Sequence, residues 1–403
     1  MNDIKREISY FTEEIYEEII KIRHALHEHP ELSYEEFETA ELVERTLSKW
    51  RIPSRRLAGS TAVLAEIKGE LHSEKCIGLR ADMDALPIEE EASVPYRSKR
   101  RGVMHACGHD IHTANLLGTA YVLTKMKPFF GGTVKLVFQP AEEVGGGAKE
   151  ILSSGVIENP PVQAFLAAHV LETIPVGQIQ IKDQEVMMAA SSFTITLSGR
   201  GGHASAPHET EDIILASARV ILDLQLIAGK KINHIEPALI TVGSIHGGTR
   251  GNIIPEKVVL QGTIRTQKDS LRLVIHEEIR KVLAAQKLVS GVEAEVDFRL
   301  GSGAVYNDIP LTQLFIKASE LMIGEENVLR AKLPEIGSEN FYQFSRTVPS
   351  VFFRLGVHDA RLGPGAAAHS PRFTATDASL KTGISVMTAA VLTFLAEKGA
   401  CDG

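Results

Sequence analysis

Cysteine is scarce. The 403 residues hold three, Cys76, Cys107 and Cys401, scattered and odd in number. That excludes a disulfide framework and points to a reducing compartment, the cytoplasm. Positive charge is also short: 43 Lys and Arg against 51 Asp and Glu leave a net charge of −8. Such a chain has no electrostatic attraction for nucleic acid or an anionic membrane, and neither is expected as a partner. Long apolar runs are missing as well. The N-terminal MNDIKREISYFTEEIYEEII threads charges through its apolar residues, so it lacks the apolar core of a secretion signal, and no stretch approaches a membrane span. The composition, 44% apolar and 23% charged, is that of a globular chain. It is too long for one ordinary core, and two domains are expected.

Hydropathy patterning predicts helices over 12–28 and 34–50, strands over 62–67 and 75–80, and a helix from about His109 with apolar residues at Leu116, Leu117, Ala120, Tyr121 and Leu123. A strand at 133–138, a Gly-rich turn, a helix near 147–154 and a strand at 164–169 follow. Alternating strands and helices indicate an α/β domain with a mostly parallel sheet flanked by helices. The middle differs. Strands at 192–198, 238–246, 256–266 and 292–300, with helices at 211–228 and 270–288, give the order β-α-β-β-α-β, a ferredoxin-like arrangement. The expectation is a catalytic domain of residues 1–187 and 301–403, closing with a helix near 376–397, interrupted by a small domain of residues 188–300.

The chemistry concentrates in HACGHDIH, residues 105–112. Cys107 and His109, two apart, cannot share a helix face. They converge only from a loop, here one feeding a helix N-terminus, which favours the thiolate that binds metal. Gly108 relieves the backbone between them. A capping segment rich in histidine by chance is the bland alternative; four candidate ligands in eight residues outweigh it. In VFQPAEEVGGG, Glu142 and Glu143 follow a strand end. Adjacent side chains leaving an extended segment point apart, so one carboxylate can face a metal and the other a water. His169 ends the next strand, at the edge where α/β sheets bind ligands. His369 sits in the small-residue loop GPGAAAHSP. In RADMDALP, Asp82 and Asp84 read equally as orienters of a ligand histidine or as turn and cap residues.

Taken together, RHALHEHPELSYEE, RADMDALPIEE, MHACGHDIHTANLLG, FQPAEEVGGGA, HVLETIPVGQI, GRGGHASAPH, GGTRGNIIPEKVVLQGTIRT, GSENF and HSPRF, in order from about residue 23 to 373, closely resemble the amidohydrolase branch of metallopeptidase family 20. That branch holds hippurate hydrolases, N-acyl-amino-acid deacetylases and auxin–amino-acid conjugate hydrolases. The resemblance implies two divalent metal ions, zinc, manganese, cobalt or nickel, held by Cys107, His109, Glu143, His169 and His369. It implies Glu142 as general base and Asp84 as orienter. His203 would donate to the oxyanion, reaching from a partner subunit, and Asn252 and Arg265 would grip the α-carboxylate. The inserted domain would serve as lid or dimerisation domain of a homodimer, and the substrate would be an N-acyl-L-amino acid. Two departures stand out. Asn340 follows Glu339 where relatives read Asp, and ETEDII follows GGHASAPH where DPI is commoner; both bear on what the pocket accepts.

Two cations about 3.5–4 Å apart activate a shared water near neutral pH, which an unreactive amide requires, and Glu142 would shuttle its proton to the leaving amine. A dipeptidase or aminopeptidase on the same core is the alternative enzyme, but no residue is evident to hold a free α-amine. A non-catalytic metal-binding protein would lack the base or a ligand. Structural zinc prefers several cysteines, and this cluster has one.

Overall fold

Residues 2–359 and 366–396 are described by the computed structural model; Cys401 lies outside them. The chain divides into two units. One is Met1–Val186, Tyr306–Leu333 and Asn340–Gly403; the other is Met187–Val305 with Pro334–Glu339.

In the larger unit, hydrophobic runs build a sheet of eight strands. Their order is Ser54–Arg56, Val63–Lys68, Gly131–Gln139, Leu71–Asp82, Ala164–Pro175, Ser350–His358, Ile179–Ile181 and Val328–Arg330. The centre is parallel: Gly131–Gln139, Leu71–Asp82, Ala164–Pro175 and Ser350–His358 run the same way. Their central stretches are buried, Cys76 to Asp82 without a break, as expected of strands covered on both faces. Successive residues serve opposite faces. Phe353 packs against Phe315, while its neighbour Phe352 meets Phe341 on the other side.

The helix His109–Lys125 is buried on nearly every side and packs against Asn2–Glu28 and Ser379–Ala396. The N-terminal helix begins ten residues before its expected start. Ile8, Ile15 and Ile19 keep a helical spacing and are buried, so the interleaved charges fall on the outer face. The C-terminal helix overturns the expectation that no stretch approaches a membrane span. Ser379–Ala396 has 18 residues and a mean hydropathy of 1.5, long and apolar enough to cross one, yet 72% of it is buried in the protein. It is apolar because neighbours surround it.

The smaller unit has the order β-α-β-β-α-β. Its strands lie as Ala238–Gly247, Lys257–Thr266, Ala189–Ser198 and Glu293–Leu300, every neighbour antiparallel. The helices Ile213–Leu226 and Asp269–Ser290 pack with them around a separate core that includes Phe193, Ile195, Leu260 and Ile279.

Candidate metal centre

The parallel strands bring their carboxyl ends to one edge. Asp82 ends one strand and Gln139 the next, and the pairing of Arg80 with Ala167 sets Asp82 level with His169. His169 does not end its strand as expected. The strand continues to Pro175 because its partner Ser350–His358 pairs with it that far.

Cys107 lies in the loop and His109 is the first residue of its helix, with Gly108 between them in the left-handed region at φ 77°. A side chain at Gly108 would strike Val170 Cγ2 at 2.5 Å. Glu142 and Glu143 do not leave an extended segment. They form one 3₁₀ turn, Glu142–Val144, entered through Ala141 at φ 57°. Glu36 Oε1 accepts the Ala141 N–H at 2.8 Å and fixes that corner. His369 is a second non-glycine residue with positive φ, 65°, and its N–H donates to Ala106 O at 2.9 Å. Such conformations cost energy and persist where the surroundings impose them.

Six side chains interlock. Ligand atoms of Cys107, His109 and His169 lie within 4.8 Å of one another, as do those of Cys107, Glu143 and His369, and those of His109, Glu142 and Glu143. Cys107 Sγ is 3.5 Å from His169 Nε2. Glu143 Oε1 is 3.8 Å from His109 Nε2 and 3.4 Å from His369 Nε2.

Hydrogen bonds set the imidazole tautomers. His109 Nδ1–H donates to Asp84 Oδ1 at 3.2 Å, and His169 Nδ1–H donates to Val170 O at 2.8 Å. Each Nε2 lone pair is left for the cluster. His112, in the same motif, is not available. Val170 N–H donates to its Nε2 at 2.8 Å, and its Nδ1–H donates to Asp82 Oδ1 at 2.5 Å.

Asp84 does more than orient one histidine. Its Oδ1 also accepts the Glu142 N–H at 3.1 Å, and its Oδ2 accepts the Glu143 N–H at 3.0 Å and Ser33 Oγ–H at 2.7 Å. Burial would raise this carboxyl; the hydrogen bond and charge of His109, with the bonds from Ser33 and the Glu143 amide, together outweigh it and the pKa is lowered. Ser33, from the ELSYEE segment, was not singled out by sequence, because its role exists only once the chain brings it back to residue 84. Asn340 stands out in the sequence as a departure; its contact is revealed only by the fold, where its backbone N–H donates to Glu142 Oε1 at 2.9 Å.

The cluster asks for positive charge. Burial would depress His109, yet Asp82, followed by Asp84 and Cys107, holds it well above an ordinary histidine. Cys107 and then Glu143, close beside its ring, raise His369 to about 10. His169, by contrast, is held low by burial and by Arg354. Among the described residues, buried His109 Nε2 and Glu143 Oε1 have no hydrogen-bond partner. Orphaned acceptors facing one point amid acids and a thiol fit divalent cations.

The remaining candidates lie in the smaller unit. His203 pairs with Ile253 across a short ladder, and Asn252 O accepts the Ala204 N–H at 3.1 Å, so these two sit together. Ser205 N–H and Oγ–H donate to His203 Nδ1 at 3.1 and 2.7 Å, leaving the proton on Nε2 of an exposed ring. Arg265 is not with them. It stands eight residues beyond Lys257 on Lys257–Thr266, ~27 Å along an extended strand, and its Nη1 donates to Ile264 O.

Residues 78–393 match the model of peptidase family M20/M25/M40. Thermostable carboxypeptidase 2 of Saccharolobus solfataricus is 36% identical over 94% of this chain and 96% of its own. IAA-amino acid hydrolase ILR1-like 4 of Arabidopsis thaliana is 36% identical over 95% and 87%, and N-acetyl-L-cysteine deacetylase of Bacillus subtilis 35% over 90% and 85%. The crystal structure of a dinuclear metal binding peptidase from the M20 family of Bacillus subtilis superposes with a TM-score of 0.84 at 30% identity, covering 95% of this chain and 99% of that one. With a family match across most of its length and relatives of these kinds along nearly all of it, the chain belongs to the M20/M25/M40 peptidase family and is a metal-binding, amide-cleaving hydrolase.

Proposed function

We propose that the protein hydrolyses N-acyl-L-amino acids to a carboxylic acid and a free amino acid. The observation that carries this is the convergence of Cys107, His109, Glu143, His169 and His369 beside Glu142. These five would hold two divalent cations. When bound, such a pair lowers the pKa of a shared water and polarises the amide carbonyl.

The protein's own residues do the rest. Asp84 fixes His109 and both glutamate amides, so ligand and base share one anchor. Glu142, held at Oε1 by the Asn340 N–H, accepts the proton of the attacking water and delivers it to the leaving nitrogen. His203, with Nδ1 occupied by Ser205, offers Nε2–H to the oxyanion, a donor worth about 3 kcal/mol of barrier. We assign it to a partner copy in a homodimer built through residues 188–300, which also serve as lid on the catalytic domain of residues 1–187 and 301–403. Asn252 and Arg265 remain the candidates for the substrate's α-carboxylate. Asn252 precedes the strand Lys257–Thr266 and Arg265 stands near its far end, eight residues or ~27 Å beyond Lys257, which favours a grip shared between subunits.

The relatives' names support the substrate class. Carboxypeptidase, IAA-amino acid hydrolase and N-acetyl-L-cysteine deacetylase each denote cleavage of an amide whose amine side is an amino acid. The carboxypeptidase name favours a second reading, in which a peptide takes the acyl side. The test is an activity panel: acetyl, benzoyl and indolylacetyl amino acids and unblocked dipeptides, offered to the metal-free protein with zinc, manganese, cobalt or nickel restored. Hydrolysis of the acylated compounds over free dipeptides is expected. Glu142→Ala should keep its metal and lose activity by about 100-fold or more; full hydrolysis by that variant removes Glu142 from the mechanism.

A further inference from the structure

We infer that Asn340 is a positioning residue for Glu142, and that its side chain, through a knot with Arg80, Gln139 and Gly146, sets where the base carboxylate stands. This rests on the reading of Glu142 as general base.

Asn340 is 1% exposed, and every polar atom of its side chain is used. Oδ1 accepts from Arg80 Nη2 at 3.0 Å and from Gln139 Nε2 at 2.8 Å. Nδ2 donates to Gly146 O at 2.6 Å. The amide orientation follows from these partners: guanidinium and amide nitrogens are donors and require the oxygen, while a carbonyl requires the nitrogen. The backbone N–H of the same residue donates to Glu142 Oε1. One residue therefore couples three neighbours to the base.

The knot is anchored at both ends of the turn that carries Glu142. Gln139 ends the strand before it, and Gly146 accepts a second hydrogen bond from Gln139 Nε2 at 3.2 Å just after it. Arg80, fully buried, donates from Nε to Gln139 Oε1 at 2.9 Å and pairs through Nη1 with Asp82 at 2.7 Å. Without the Asn340 side chain, Arg80, Gln139 and Gly146 each lose a buried partner, and the 340 amide loses what holds it against Glu142. None of these atoms belongs to a proposed ligand, so the effect should fall on the base and spare the metals.

Asp would keep the acceptor for Arg80 and Gln139 and lose only the donor to Gly146, placing an oxygen against that carbonyl. Asn340→Asp is therefore the conservative variant, and Asn340→Ala removes the knot. Using the full-length, metal-loaded protein and the acylated amino acids above, Asn340→Ala should lower kcat about 10- to 100-fold. KM should stay within about twofold and the metal content should equal wild type, as expected when only transition-state contacts are lost. Asn340→Asp should recover most of that kcat. A crystal structure of Asn340→Ala should show the Glu142 carboxylate moved off the 340 amide. Wild-type kcat with Glu142 in place overturns the inference. So does loss of metal in step with activity, or an Asp variant no better than Ala. A fully active Glu142→Ala would instead sink the base assignment, while the crystallographic position of Glu142 in Asn340→Ala would still decide whether Asn340 holds that side chain.

Discussion

Asp84 is the residue on which most of the centre depends. Its two oxygens accept from a proposed ligand imidazole, from the amides of both glutamates and from Ser33. An asparagine of the same shape replaces one oxygen by a donor, which then faces donors. Asp84→Asn should therefore misorient His109 and the Glu142–Glu143 turn together, weakening metal affinity about 10- to 100-fold. Titration of the metal-free variant with zinc, read by competition with a chromophoric chelator, measures it; unchanged affinity would mean that His109 is held elsewhere. The sequence already offered Asp82 and Asp84 as orienters. What it lacked was the division of labour: Asp82 takes the ion pair with Arg80 and the His112 ring, whereas Asp84 takes the ligand. Both lie at one strand end, and only packing decides which faces which histidine.

At the scale of elements, the helix His109–Lys125 has to be held at its N-terminus against the cluster. Asp110 does this from the side away from the ligands. Its Oδ2 accepts Arg23 Nε–H at 2.8 Å and His27 Nδ1–H at 2.9 Å, all three residues buried, which ties the N-terminal helix to the metal helix. Burial would raise the Asp110 carboxyl; Arg23 and then His27 outweigh it and hold the pKa well below 3.8. A carboxylate depressed on folding stabilises the folded state above its unfolded pKa, and that stabilisation fades as pH falls toward the folded value. Asp110→Asn should thus cost about 1.5–3 kcal/mol near neutrality, since Arg23 and His27 lose their shared carboxylate and keep only Asp377 and Glu90. The gap between variant and wild type should hold down to about pH 4 and narrow below it. Denaturant unfolding across pH checks both the size and the sign. A constant gap down to pH 2 would show that Asp110 does not titrate on unfolding.

For the whole molecule, what matters is which chain supplies His203 as oxyanion donor. If His203 serves the centre of a partner copy, mixing Glu142→Ala with His203→Ala and allowing subunits to exchange creates heterodimers with one intact site. Activity should then rise from near zero to about a quarter of wild type, the share expected for random pairing. No recovery despite proven exchange would place both residues in the same chain's site.

The α/β alternation, the β-α-β-β-α-β order of the smaller unit and the clustering of ligand types in HACGHD and QPAEE were all legible from the sequence. Each arises from local periodicity or from neighbours in the chain. Short strands such as Ile179–Ile181 and Val328–Arg330 were not, because three residues carry no period and exist only by pairing with each other and, for the first, with Ser350–His358. The early start of the first helix was hidden by charges that turn outward. The buried C-terminal helix read as less apolar than it is. By itself, the sequence determined which residue types can bind metal and which can move a proton, and that they gather near one edge of an α/β sheet. Tertiary structure alone decided that His112 is occupied, that Asp84 anchors the base turn, and that Asn340, 198 positions along the chain from Glu142, donates to it. Those facts depend on directions of lone pairs and N–H bonds between distant segments, which no local pattern encodes.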